Sequence, residues 1–276
     1  DTFLKFFKRV INFLFPKTII CVIISSILSI IFLPPSLWQS IKDAIWVVSG
    51  LQNINLYTDL NYLNTIGFEN SIFFQFWSTS VIIQFCFVFS LLWYLMPRFS
   101  LKKFFKQISL ITLLSFILTL FVFNNYEQYK NALYLLPIFR FWEIGLGIIT
   151  CYLSDEILKS KIKLKFFNIK IFSHSFIKSS LEVILLITLI FIIFIPINQI
   201  ISILLACLIT SLLILNSKFN KKSIFKKIID PKIFSFIGKR TYLIYIYHWM
   251  FIVIFNSITG NGNYLFYLLV ISSTLI

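Results

Sequence analysis

The sequence predicts an all-α, polytopic membrane helix bundle, and three observations carry that reading. Of the 276 residues, 59% are hydrophobic and 13% charged, whereas a soluble domain runs at about 45–50% apolar and about 25% charged. Thirty-four Phe, twelve Tyr and six Trp stand against seven Gly and seven Pro, as expected of a chain built from long apolar segments. The apolar runs are bounded by charges, and the basic residues sort to one side of alternating spans. Together these features exclude an ordinary cytoplasmic enzyme, a disordered tail and a disulfide scaffold. The net charge of +15 suits basic cytoplasmic loops rather than nucleic acid, because few charges fall inside the apolar runs. Membrane lipid is the expected surrounding, with no nucleic-acid partner.

Taken along the chain, eight spans are expected, at about 17–34, 73–96, 107–124, 136–153, 181–197, 199–215, 236–256 and 264–276. The last is truncated, since a spanning helix needs about 20 residues. The 38–57 stretch (WQSIKDAIWVVSGLQNINLY) is half apolar and broken by polar residues. It reads as a short interfacial or re-entrant helix rather than a span. The chain opens at Asp1 without an initiator Met or a signal-peptide pattern. It is therefore expected to be an internal fragment of a longer membrane domain, with no soluble domain within 1–276.

Loop charge sets the orientation. Four basic residues lie in 1–17, four in 98–106, six in 154–178 and eight in 216–240, which places 22 of the 25 on one side of eight alternating spans. The opposite loops hold Lys42 and Lys130. The positive-inside rule makes the basic side cytoplasmic. Those basic loops are topology signals in solvent, or sites for anionic lipid or coenzyme A. The cysteines Cys21, Cys86, Cys151 and Cys207 all fall in spans without a CxxC pair and read as packing residues. With only His174 and His248 in the chain, no metal site is expected.

Ionisable groups inside a bilayer are costly, so each is a candidate by default. Arg140 and Glu143 lie three residues apart in LPIFRFWEIGLG and so share a helix face. Such a pair either holds its helix against a neighbour or binds and deprotonates substrate, and spacing fits both. In GKRTYLIYIYHWMFIVIF, Tyr242, Tyr245 and His248 recur every three residues and form a polar-tipped stripe. His248 fits proton transfer or a satisfied buried histidine equally. Glu182 falls at a cytoplasmic span end, where solvation suffices. Counting depth at about 1.5 Å per residue lets Glu143, His248 and Gln84 line one outward-facing cavity.

Four passages, in order, resemble one family. FLKFFKRVINFLFPK is similar to its basic segment, and FWSTSVIIQFCFVF to its pattern HxWSLxxEEQFYxxxP. LPIFRFWEIGLGIITCYL resembles its R-x-x-E-x-x-x-G helix through Arg140, Glu143 and Gly147. FSFIGKRTYLIYIYHWMFIVI resembles its late G-x-x-S-Y-x-x-Y-x-x-H helix through Gly238, Tyr242, Tyr245 and His248. The family is the integral-membrane acyltransferases of acyltransferase family three. The resemblance implies a bundle of about ten helices in the bacterial inner membrane. It implies acyl transfer, usually acetyl, from acyl-CoA as co-substrate to a hydroxyl of a cell-envelope glycan or lipid-linked sugar. No bound cofactor is implied.

The resemblance makes Arg140, Glu143 and His248 the catalytic candidates, with Tyr242, Tyr245, Trp77, Ser78 and Gln84 for substrate. The family's usual base lies on an earlier helix, expected upstream of Asp1, and His248 does not stand in for it. Ile82 and Ile83 occupy the places of two family glutamates, Gln75 that of a histidine and Cys86 that of a tyrosine. Thr241 replaces a serine, and Met250 a common proline. Two alternatives remain open at this point: a lipid-linked glycan translocator and a catalytically degenerate relative.

Overall fold

Apolar runs this long satisfy their own backbone only as helices, and helices are what form. The computed structural model describes residues 3–33, 37–58, 71–95, 101–126, 129–160, 175–194, 198–219 and 232–259. Among them are ten helices: α1 (Phe3–Phe32), α2 (Leu37–Ser49), α3 (Gln52–Thr58), α4 (Phe76–Leu95), α5 (Leu101–Asn125), α6 (Lys130–Leu135), α7 (Pro137–Ser160), α8 (Ser175–Phe194), α9 (Gln199–Phe219) and α10 (Lys232–Thr259). Five of them, α1, α4, α5, α9 and α10, contain stretches long and apolar enough to cross a membrane.

That is fewer than the eight spans expected from apolar runs. Helix α7 has 24 residues but carries Arg140 and Glu143 within its apolar stretch. The apolar part of α8 is only Ser180–Ile192. The expected span 264–276 lies outside the described residues, as do His174 and the basic segments 161–174 and 220–231. Several helices also start earlier than their apolar runs. Helix α1 begins at Phe3 and continues through Pro16, with Lys5, Lys8 and Arg9 exposed along its first turns. Long basic side chains extend a helix past its apolar run by keeping their heads in water.

The 38–57 stretch folds as two short helices. At 1.5 Å per residue, α2 and α3 are roughly 20 and 10 Å long, short of the bilayer core of about 30 Å. Gly50, at φ 72°, closes α2. Its N–H donates to the Val47 carbonyl and the Leu51 N–H to that of Trp46, each at 3.0 Å. This paired termination needs a left-handed residue, which glycine adopts without strain.

The helices form two compact units. The first comprises Asp1–Arg98, Thr119–Phe139 and Lys239–Ile276, the second Phe99–Leu118 and Arg140–Gly238. In the first unit, Ile246, Met250, Val253 and Ile254 of α10 recur at helical spacing and bury their stripe against Cys21, Val22, Val47 and Phe76. A smaller cluster joins Leu56 of α3, Trp77 and Val81 of α4, and Leu135 of α6. Cys21 fits the packing reading at 0% exposure, whereas Cys151 is exposed.

In the second unit α5 and α7 approach closely at Gly145, where an added Cβ would collide with Thr112. Ser115 Oγ accepts the Trp142 N–H at 3.3 Å. Phe105 stacks on Tyr152 at 3.7 Å between centroids. Helices α8 and α9 pack together as a hairpin.

Candidate active site

The candidate residues divide between the two units. Trp77, Ser78, Gln84, Tyr242, Tyr245 and His248 belong to the first, Arg140 and Glu143 to the second.

In the second unit, α7 places the two charges one turn apart, and they pair. Arg140 Nε donates to Glu143 Oε1 at 2.9 Å, with side-chain exposures of 19% and 22%. Because both partners lie on one helix, folding of α7 alone brings them together, and each offsets the other's cost of desolvation. Use of Nε fixes the plane of the guanidinium fork.

Glu182 corrects its sequence reading as a solvated span end. Helix α8 starts at Ser175, so Glu182 lies well inside it, fully buried at 0% exposure. Its Oε1 accepts from Asn216 Nδ2 of α9 at 3.0 Å.

In the first unit, α10 is anchored by its tyrosines. Thr18 Oγ1 donates to the Leu14 carbonyl at 3.0 Å, so the 2.7 Å contact with Tyr242 has the phenol as donor. Ser78 Oγ, Tyr245 Oη and the Gln75 carbonyl form a closed set, with the two hydroxyls 2.8 Å apart. These bonds tie α10 to α1 and to the start of α4. His248 continues the stripe half-buried, its ring 5.7 Å from that of Tyr245. Its Nδ1 lies 3.1 Å from the Ile244 carbonyl. A carbonyl only accepts, so Nδ1 carries the proton and the lone pair of the neutral ring falls on Nε2.

Trp77 and Gln84 are engaged within the fold. Trp77 is 5% exposed, its ring 4.4 Å from that of Tyr134. Gln84 Nε2 donates to the Gly50 carbonyl at 2.9 Å and to Asn53 Oδ1 at 2.8 Å, while Asn53 Nδ2 reaches Gln84 Oε1 at 3.3 Å. Asn53 Nδ2 also donates to the Leu135 carbonyl at 3.1 Å. One reciprocal amide pair thus joins α3, α4, α6 and the Gly50 turn.

Sequence reasoning missed the polar groups of α2 and α3: Asp43, Gln52, Asn53 and Asn55 are all buried. The available signal was the run of Asn and Gln in LQNINLY beside an acidic residue in an otherwise apolar stretch. Ile83, in one of the two glutamate places, packs over Gly50, 3.5 Å from where a Cβ would stand, and Ile82 is exposed.

Apolar helices long enough to span, with ionisable and hydroxyl groups held among them, define an integral-membrane helical protein. The chain belongs to the acyltransferase domain family, acyltransferase family 3, whose match covers residues 1–276. No curated protein and no solved structure matches it. It is accordingly an acyltransferase, of a family whose general activity is membrane-bound O-acyl transfer between a donor and a hydroxyl acceptor.

Proposed function

We propose that this acyltransferase moves an acetyl group from acyl-CoA to a hydroxyl of a cell-envelope glycan or lipid-linked sugar. Its setting is the bacterial inner membrane, with the basic segments cytoplasmic and so facing the acyl-CoA pool. The observation that carries this reading is the Arg140–Glu143 pair, held 2.9 Å apart on an apolar helix and only about a fifth exposed.

In this reading the acceptor hydroxyl attacks the thioester carbonyl. A C–O bond forms, the C–S bond breaks, and coenzyme A leaves as the thiol once it takes up the hydroxyl's proton. Arg140 offers a cation and fixed N–H donors to a carbonyl or anionic group, the kind of interaction that strengthens as charge develops. Glu143 holds the guanidinium in plane. His248 relays a proton through Nε2. Tyr242, Tyr245 and Ser78 hold α10 against α1 and α4, and Trp77 and Gln84 serve acceptor binding within that same unit.

The test is acyl transfer by the full chain in membranes, from radiolabelled acetyl-CoA to envelope glycan. Wild type labels the glycan, and Arg140→Ala loses about 100-fold or more of that labelling while the protein stays inserted and abundant. Unchanged transfer in Arg140→Ala rejects the assignment. A catalytically degenerate relative is favoured by one observation, the apolar side chains of Ile82 and Ile83 in the glutamate places. Labelling by wild type excludes it.

A further inference from the structure

A carboxylate removed from water needs donors at both oxygens to offset its lost hydration. Asp43 of α2 is 1% exposed and has them. Oδ1 accepts from Asn55 Nδ2 of α3 at 3.0 Å, and Oδ2 accepts from Ser71 Oγ at 3.1 Å. Ser71 opens the turn that leads into α4, and its carbonyl accepts the Trp249 Nε1–H at 2.9 Å. The Trp249 ring packs on Phe74 of that same turn, centroids 5.4 Å apart. Trp249 follows His248 directly on α10.

The line Asp43–Ser71–Trp249 therefore runs from a buried charge to the residue beside the histidine. Asn55 carries the hold into α3, where its amide lies 3.4 Å from Gln52 Oε1 and the Gln52 N–H donates to Ser80 Oγ of α4 at 3.1 Å. One acceptor-only group thus sets the segment leading into α4 against both α3 and α10.

We propose that Asp43 is a positioning residue for acyl transfer, holding His248 in register with the start of α4 through Ser71 and Trp249. This inference rests on the reading of His248 as a proton relay. A reacting group displaced by about 1 Å can cost up to about 100-fold in rate, so loosening this hold acts on kcat before it acts on binding. Asn at position 43 keeps the volume but offers one acceptor where two are used.

The experiment compares the full chain purified in detergent as wild type, Asp43→Asn, Ser71→Ala, Trp249→Phe and the double variant Asp43→Asn with Trp249→Phe. It reads kcat, KM for acyl-CoA and acceptor, and the thermal midpoint. Asp43→Asn is expected to lower kcat about 10-fold or more with both KM values within about twofold. Ser71→Ala should follow it. The double variant should be no slower than Asp43→Asn alone, because both changes cut the same line.

A lowered midpoint with kcat per folded molecule retained overturns the proposal, and so does multiplicative loss in the double variant. If Asp43→Asn fails to accumulate, Ser71→Ala and Trp249→Phe decide it, and wild-type kcat in both overturns it. His248→Gln run in parallel separates the two readings. Loss there with Asp43→Asn intact rejects Asp43 alone, whereas full activity in His248→Gln rejects the relay and the positioning role together.

Discussion

The two units differ in the polar groups they bury: amides and hydroxyls dominate the first, an intrahelical ion pair marks the second. In the first, amides and hydroxyls link different helices: Asn53 and Gln84 bond reciprocally, and Tyr242 and Tyr245 tie α10 to its neighbours. In the second, Arg140 pairs with Glu143 on one helix, and Glu182 accepts from Asn216 of the adjoining helix. A neutral amide is cheaper to bury than an ion and can be fully satisfied by a second amide. An ion pair made within a helix forms from the helix alone. The first arrangement builds a frame that also holds the Asp43 carboxylate, whereas the second pairs its charges within one helix or between two adjoining ones.

The largest effect should come from breaking the local pair. Glu143→Gln is expected to reduce glycan acylation about 100-fold with protein abundance unchanged, read by labelling and immunoblot. The exchange of Arg140→Glu with Glu143→Arg sharpens the point. It keeps an ion pair on α7, so recovery of activity would make the pair a packing device. Continued loss would mean that the position of the cation matters.

Next in size is Gln84→Ala in the first unit. It leaves the Gly50 carbonyl and the Asn53 amide short of partners, and it should cost about 3 kcal/mol in stability. A fall in thermal midpoint reports this, and an unchanged midpoint would show that the amide pair frames nothing.

Glu182→Ala should lower stability by about 2 kcal/mol through the lost Asn216 bond while acyl transfer per folded molecule persists. Loss of activity at full stability would instead give the second unit another working charge. The smallest effect is expected from Gly50→Ala, at about 1 kcal/mol, because an L side chain is strained at φ 72°. A neutral result there would show that the α2–α3 turn relaxes freely.

How far the sequence could be read follows from how local each signal is. Arg140 and Glu143 were legible because three residues separate them. Asp43 was not, since its donors lie 12 and 28 residues away, and Asn53 finds partners 31 and 82 residues away. Glu182 stands at the start of the apolar stretch Ser180–Ile192, as the sequence suggests, but its burial against Asn216, 34 residues away, is a tertiary contact. The glycines make the same point. The motif glycines Gly147 and Gly238 have open space around them, while Gly145 meets Thr112.

The sequence by itself determined that the chain is helical, that its long apolar helices suit a membrane, and that one helix carries an ion pair. Those properties depend on composition and on spacings within a turn or two, which any helix of that sequence reproduces. Tertiary structure alone decided which polar groups are buried and what satisfies them. Asp43, Gln84 and Glu182 each depend on partners brought in from distant positions, and hydrogen bonds of that kind exist only once the helices have packed.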